Sequence, residues 1–424
     1  MHVRGIRVNR WWHRWAHLSS VAALSLGLSL VTPVTASSQT EDEQIRRAME
    51  QLGTMLGIAE LSPEELQEKV ESLSHLDFRT SVPIDFMTRD ELAEYIRELF
   101  DNEYTPAEST SEELALRLFG FLDEDDDLRA IRSRVLNENI AGFYDEREGV
   151  KKLFAISERR ELGLMNQLVL AHELRHALQD QHVDLADQLE VKSDFDDRRL
   201  SVLCLFEGDA TLFMERYLLG SVSVELPGLA ELLGGGGLGA DGGRSTAEMF
   251  AGPALSSAPP IVQEQLIAPY LLGRTFVATL VERGGLEAVD RALADPPRSM
   301  EQVLYPDKYL ARSDDPLPVD VAVSEGERVA FQGTLGELYV RVLLTAELGA
   351  ERATQAARGW GGDRFAVIER AGNERLVWNT VWDSPDEADE FYGALSAYAS
   401  AKFIDGYTVD RTTARGVALE RRAP

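Results

Sequence analysis

Residues 171–182 read Ala171-His172-Glu173-Leu174-Arg175-His176-Ala177-Leu178-Gln179-Asp180-Gln181-His182. Two histidines four residues apart lie on one face of a helix, where both rings reach a single ion. Imidazole nitrogen suits zinc. Glu173 between them points to where a water on that ion would lie, and such a glutamate takes a proton from water and hands it to a leaving amine. The flanking sequence agrees with a helix. Leu162, Met165, Leu168, Val169, Leu170 and Leu174 recur at helical spacing, and no proline interrupts 158–181, so a helix is predicted over that span. The plain alternative is a helix that carries two histidines without a ligand.

A catalytic zinc takes three protein ligands and keeps one position open. Three residues compete for the third place. Glu207 sits in an apolar helix predicted over 197–219, among Leu200, Leu203, Cys204, Ala210, Thr211 and Met214. A carboxylate in that setting is costly unless a cation meets it, and Gly208 beside it admits close approach of another chain segment. His182 has the metzincin spacing from His172 and His176, but Gln179 stands where that pattern has the glycine that turns the chain back. Cys204 is the third candidate, and a buried structural thiol is its plain reading. Asp209 can fix a ligating histidine or pair with an arginine. For the stabiliser of developing negative charge, Tyr144, Tyr270, Tyr305, Tyr309 and Arg175 all stand open.

Outward from the helix, residues 138–157 alternate as a hairpin around Glu146-Arg147-Glu148-Gly149. Its edge beside the metal helix is expected to pair with an extended substrate. Tyr144, at the turn end, either faces that cleft or packs as a strand aromatic. Residues 183–199 form an acidic connection, and Gly-rich residues 234–243 are either a cleft-covering loop or a surface insertion. Helices are expected at 261–283 and 285–294, then a turn-rich stretch at 296–309. Residues 314–424 form a smaller α/β unit: a strand, helices at 334–348 and 350–358, two strands near 364–383, a helix at 384–400 and final strands. Upstream, 37–135 is acidic and mostly helical, either an N-terminal domain or a pro-segment, with a short strand at 81–87. Capping boxes are expected at Ser62/Glu65, Thr88/Glu91, Thr110/Glu113 and Ser384/Glu387. The region 136–313 is left as the domain that holds the site.

The N-terminus has a different character. Arg4, Arg7, Arg10 and Arg14 precede an apolar run at 18–34, and Val34-Thr35-Ala36 resembles a small-residue cleavage site. Residues 1–36 are expected to be a secretory signal peptide, with an uncleaved anchor as the alternative, so an exported protein, periplasmic or extracellular, is expected. Cleavage changes the net charge from −29 to −33. That balance disfavours nucleic acid and anionic membrane as partners. One cysteine excludes an internal disulfide. Of the seven histidines, only His75, His172, His176 and His182 lie past residue 36, and three of those four share one short window, which general packing does not explain.

His172-Glu173-x-x-His176 followed by Glu207 on a later helix resembles the gluzincin group of zinc metallopeptidases. The strings from Ala171 to Gln181 and from Glu207 to Ala210 resemble a set of exported bacterial proteins, over roughly residues 138–310. The resemblance implies an α+β, predominantly helical chain with a zincin-like core and a small hairpin or sheet beside the metal helix. It implies one Zn2+ per chain on His172, His176 and Glu207, Glu173 as general base, and a peptide or protein substrate. Many gluzincins carry an acid four residues after the ligand glutamate; here that position is Thr211. The alternatives are a non-catalytic exported binding or scaffold protein on the same frame, and a zinc hydrolase of non-peptide amides.

Overall fold

The computed structural model describes residues 51, 53, 54, 58–147, 149–158, 160, 162–183, 185–188, 195–221 and 252–423. The expected signal peptide, the Gly-rich stretch at 234–243 and part of the acidic connection, residues 184 and 189–194, lie outside them. The chain is α+β and predominantly helical.

The metal-motif helix, α5, runs Leu164–Val183. It starts six residues later than the periodicity predicts, because Arg160 adopts a left-handed backbone (φ 55°) that a right-handed helix cannot include. Ahead of it come α1 (Pro63–Leu73), β1 (Ile84–Met87), α2 (Arg89–Glu103), α3 (Pro106–Phe119) and α4 (Leu128–Asn139), then the hairpin of β2 (Gly142–Asp145) and β3 (Lys152–Ile156). The boxes at Ser62 and Thr88 form with both reciprocal hydrogen bonds, and Ser384 accepts from the Glu387 N–H. The box at Thr110 does not form. Thr105-Pro-Ala-Glu108 offers the same pattern five residues earlier with proline preset at the first helical position, and α3 starts there. Thr110 instead sits inside the helix, its hydroxyl donating to the Pro106 carbonyl at 2.7 Å.

β2 pairs antiparallel with β3, and β1 adds parallel to its other side, giving the order β1-β3-β2. This sheet lies against α5. A Cβ on Gly142 would come within 2.6 Å of Val169 Cγ1, so only glycine permits that approach. All four residues of β2 are buried.

After the short α6 (Leu185–Gln188), Asp196 caps α7 (Asp197–Ser221) by accepting from the Arg198 N–H at 3.0 Å. α7 joins two apolar clusters: Leu200, Leu203 and Phe206 belong to the larger, and Phe213, Met214 and Tyr217 to the one around α5. Beyond α8 (Pro253–Ser256), α9 (Pro260–Gly284) crosses α7 at Gly208 and Gly273, where a Cβ on either glycine would fall about 2 Å from the other helix's backbone. α10 (Leu286–Ala294) follows. The turn-rich stretch holds two one-turn helices, α11 (Met300–Leu304) and α12 (Pro306–Leu310).

The C-terminal strands β4 (Arg328–Gly333), β5 (Trp360–Arg370), β6 (Asn373–Trp382), β7 (Tyr407–Thr413) and β8 (Gly416–Arg422) form an antiparallel sheet ordered β4-β5-β6-β8-β7. Helices α13 (Gly336–Leu348), α14 (Ala350–Ala357) and α15 (Pro385–Lys402) accompany it. Phe119 from α3 packs edge-on against Phe365 and Trp378 of this sheet, at ring separations of 5.1 and 5.4 Å. One apolar cluster therefore runs from Leu92 to Leu419, across both sequence boundaries at 135/136 and 313/314.

Residues 59–82 run behind α5. Gln167 Nε2 donates to the Ala59 carbonyl (2.8 Å), Arg175 Nη1 to Ser74 Oγ (3.1 Å), and the Arg79 N–H to Gln181 Oε1 (2.7 Å). At ~100° per residue, Gln167 stands about 180° around the helix from His176, and Gln181 about 140°. This strap supports the far side of the helix and leaves the histidine face to other elements.

Candidate metal centre

α5 and α7 bring three side chains to one point. His172 Nε2 lies 3.0 Å from Glu207 Oε2, His176 Nε2 lies 3.3 Å from the same oxygen, and the two ring nitrogens are 3.1 Å apart. Residues 172 and 176 share the face that α5 turns toward α7, which is why the spacing converges on Glu207. In a tetrahedral site with bonds of ~2.0–2.1 Å, ligand atoms stand about 3.3–3.4 Å apart. The three separations here are that of a set drawn slightly inward. Glu207 Oε1 and His172 Nδ1 are buried and have no hydrogen-bond partner among the described residues. An oxygen orphaned in this way is what a cation would satisfy. The residues therefore fit a zinc ion.

The electrostatics agree. Burial by itself would raise the pKa of Glu207, but the charge on His176 and hydrogen bonds from both histidines hold its carboxyl well below the usual range. Burial works against the charged form of His176, yet the Glu207 carboxylate, with Glu173 and Gln179 adding to it, pushes its pKa up to about 9. The trio thus demands positive charge, and a proton and a metal ion compete to supply it.

Glu173 lies one residue around the helix. Its Oε2 accepts from the Tyr144 backbone N–H at 2.9 Å. In the β2–β3 pair, Ile156 N–H donates to the Ala141 carbonyl, so the alternate residues Gly142 and Tyr144 turn their main-chain groups away from β3. This corrects the expectation of a strand edge open to an extended peptide. The edge is buried, and the N–H at its centre is committed to Glu173. His172, Glu173, His176 and Glu207 are each at most 1% exposed.

The other candidates fall elsewhere. His182 Nε2 lies 3.0 Å from the Asp77 carbonyl, because the helix runs on through Gln179 and carries residue 182 to the strap side. Cys204 is buried against α9 and α11, its sulfur 3.7 Å from the Ala268 carbonyl and 3.6 Å from Met300 Sδ, and burial pushes its thiol pKa well up. Neither belongs to the ligand group. Asp209 meets Arg175 Nε at 2.8 Å and reaches the histidines only through Gln179. Tyr144 packs as the strand aromatic, its hydroxyl donating to Asp180 at 2.9 Å. Tyr305 is held by Glu337 and Arg341, and the Tyr309 hydroxyl donates to the Asp295 carbonyl. Of the five residues open for stabilising negative charge, Tyr270 of α9 stands at the histidines, its ring stacked on His172 at 6.0 Å. The close crossing at Gly208 and Gly273 brings it there.

One contributor was missed by sequence reasoning. Gln179 Oε1 lies 2.8 Å from His176 Nδ1, and its amide nitrogen donates to Asp209 Oδ2 (2.8 Å) and to the Phe206 carbonyl (3.1 Å). Its place three residues after His176 was the available signal.

A second group of candidate ligands, Glu301, Asp314 and Asp383, surrounds Lys308. The ammonium lies 2.6 Å from Glu301, contacts Asp314 and stands 3.7 Å from Asp383, so it already provides the cation there.

Among protein families, a domain of unknown function (DUF8575) matches residues 327–422, from just before β4 to the end of β8. The match includes none of His172, Glu173, His176 and Glu207. No curated protein and no solved structure matches the chain.

Proposed function

We propose that the protein is a zinc-dependent hydrolase of amide bonds, a gluzincin-type peptidase acting on exported or extracellular polypeptides. The observation that carries this reading is the convergence of His172 Nε2, His176 Nε2 and Glu207 Oε2 within 3.3 Å, with Glu173 on the adjoining position of the same helix. Zinc bound there supplies Lewis acidity toward a carbonyl and makes water a stronger acid. Glu173 takes the proton from the attacking water and delivers it to the leaving nitrogen. The Tyr144 N–H fixes the orientation of that carboxylate. The buried Tyr270 forms one wall beside His172, and the enclosure keeps the local dielectric low. Among the described residues no helix is long and apolar enough to cross a membrane.

Glu173→Gln tests the chemistry. The variant is expected to keep zinc and fold while losing hydrolysis across a panel of peptides and non-peptide amides. Retained hydrolysis sinks the reading, and turnover confined to non-peptide amides reassigns the substrate.

The burial of all four residues favours a second reading, in which the metal is structural and the protein binds or scaffolds. Full zinc loading with inertness to the whole panel would establish it.

A further inference from the structure

We infer that Gln179, oriented by Asp209, is a positioning residue that sets the tautomer of His176 and so its competence to hold the metal. The inference rests on the proposed metal centre and follows from the donors and acceptors around one amide. A glutamine side chain ends in one donor group and one acceptor. Two acceptors flank one end of Gln179: the Phe206 carbonyl at 3.1 Å and the Asp209 carboxylate at 2.8 Å. Neither can donate, so the amide nitrogen must face them. The amide oxygen is left facing His176 Nδ1 at 2.8 Å, and the only favourable pairing there puts the proton on Nδ1. Once the ring is neutral, as it must be to bind a metal, the lone pair of His176 therefore lies on Nε2, the atom that meets His172 and Glu207.

Asp209 is fixed in turn. Arg175 Nε donates to the same Oδ2 at 2.8 Å, and Arg175 Nη1 donates to Ser74 Oγ at the end of α1. A chain of polar contacts therefore runs from the strap behind α5 to the ring of one ligand: Ser74, Arg175, Asp209, Gln179, His176. All of its members from Arg175 inward are buried. The arrangement serves one histidine only, since His172 Nδ1 has no hydrogen-bond partner among the described residues.

The test compares the full-length protein with Gln179→Leu and Asp209→Asn. Zinc affinity is read by competition with a chromophoric chelator, and the His176 ring nitrogens by histidine 15N–1H correlation spectra with and without zinc. Gln179→Leu is expected to weaken zinc binding ~10- to 100-fold, the range for loss of a partner that orients a metal-bound histidine. It is also expected to abolish the exchange-protected Nδ1–H signal of His176. Asp209→Asn, which lets the amide turn over, is expected to weaken binding less. The Nδ1–H signal is the readout that a merely structural role would not move, since loss of packing alone leaves its acceptor in place. Undiminished affinity and an unchanged Nδ1–H signal in Gln179→Leu overturn the inference and leave the metal centre intact. Failure of the unaltered protein to bind zinc overturns both.

Discussion

Gly208→Ala is the sharpest structural test of how the site is assembled. In an ordinary helix this change is stabilising, by about 1 kcal/mol of recovered helix propensity. Here the new Cβ would lie 2.2 Å from both the carbonyl carbon and the oxygen of Gly273. Attractive contact between carbons begins near ~3.5 Å, so α7 and α9 would have to part by roughly 1.3 Å. Neither partner atom is the end of a flexible side chain, and the crossing is equally tight at Gly273, whose Cβ would meet the Cys204 carbonyl at 2.0 Å. Overpacking against backbone belongs at the upper end of the usual range, about 3 kcal/mol. Overpacking outweighs propensity, leaving a net loss of ~2 kcal/mol and, for a chain of this length, a Tm lower by roughly 2 °C. Glu207 precedes Gly208 on α7 and Tyr270 precedes Gly273 on α9, so the displaced helices are also expected to hold zinc less tightly. Calorimetric melting with zinc and with chelator, beside a zinc titration, reads both effects. A variant as stable as the parent, or more so, would refute the claim that backbone contact sets this crossing.

Two further outcomes follow from the packing and charge. Deleting residues 1–82 is expected to lower Tm and zinc occupancy without raising hydrolysis, because the strap supports the rear of α5; activation on deletion, read with the same peptide panel, would make it an inhibitory pro-segment. Burial, together with the acids Glu337 and Asp314, pushes Glu301 up to about 8 despite Lys308 beside it. Its folded-state pKa thus exceeds its unfolded value, so its contribution to stability is present at low pH and is lost as pH rises from about 4.5 toward 8. Glu301→Gln is accordingly expected to gain on the parent in urea unfolding across that interval, and a difference independent of pH would contradict the assignment.

What could be read from the sequence was local or periodic. His172, Glu173 and His176 follow from a four-residue spacing, and Glu207 from an acid set in an apolar helix, which physical cost alone makes conspicuous. The hairpin at 142–156 and the succession of C-terminal elements follow from alternation and turn residues. The start of α3 went astray because two capping patterns overlap within nine residues, and proline at 106 decides between them. Gln179 was legible only as a helix former, since its partners Phe206 and Asp209 lie on another helix. The strap at 59–82 and the insertion of Phe119 into the C-terminal sheet are likewise long-range, and nothing in their own windows announces them. The buried edge of β2 departs from expectation because alternation tells which residues face inward, not what lies beside the strand.

We propose that α5 and α7 together hold one zinc ion, on His172, His176 and Glu207. Elemental analysis of the purified protein, beside Glu207→Ala and His182→Ala, tests it most directly. About one zinc per chain is expected in the parent and in His182→Ala, with most of it lost in Glu207→Ala. A parent that takes up no zinc even when the metal is added back, or loss of zinc with His182 rather than Glu207, would contradict it.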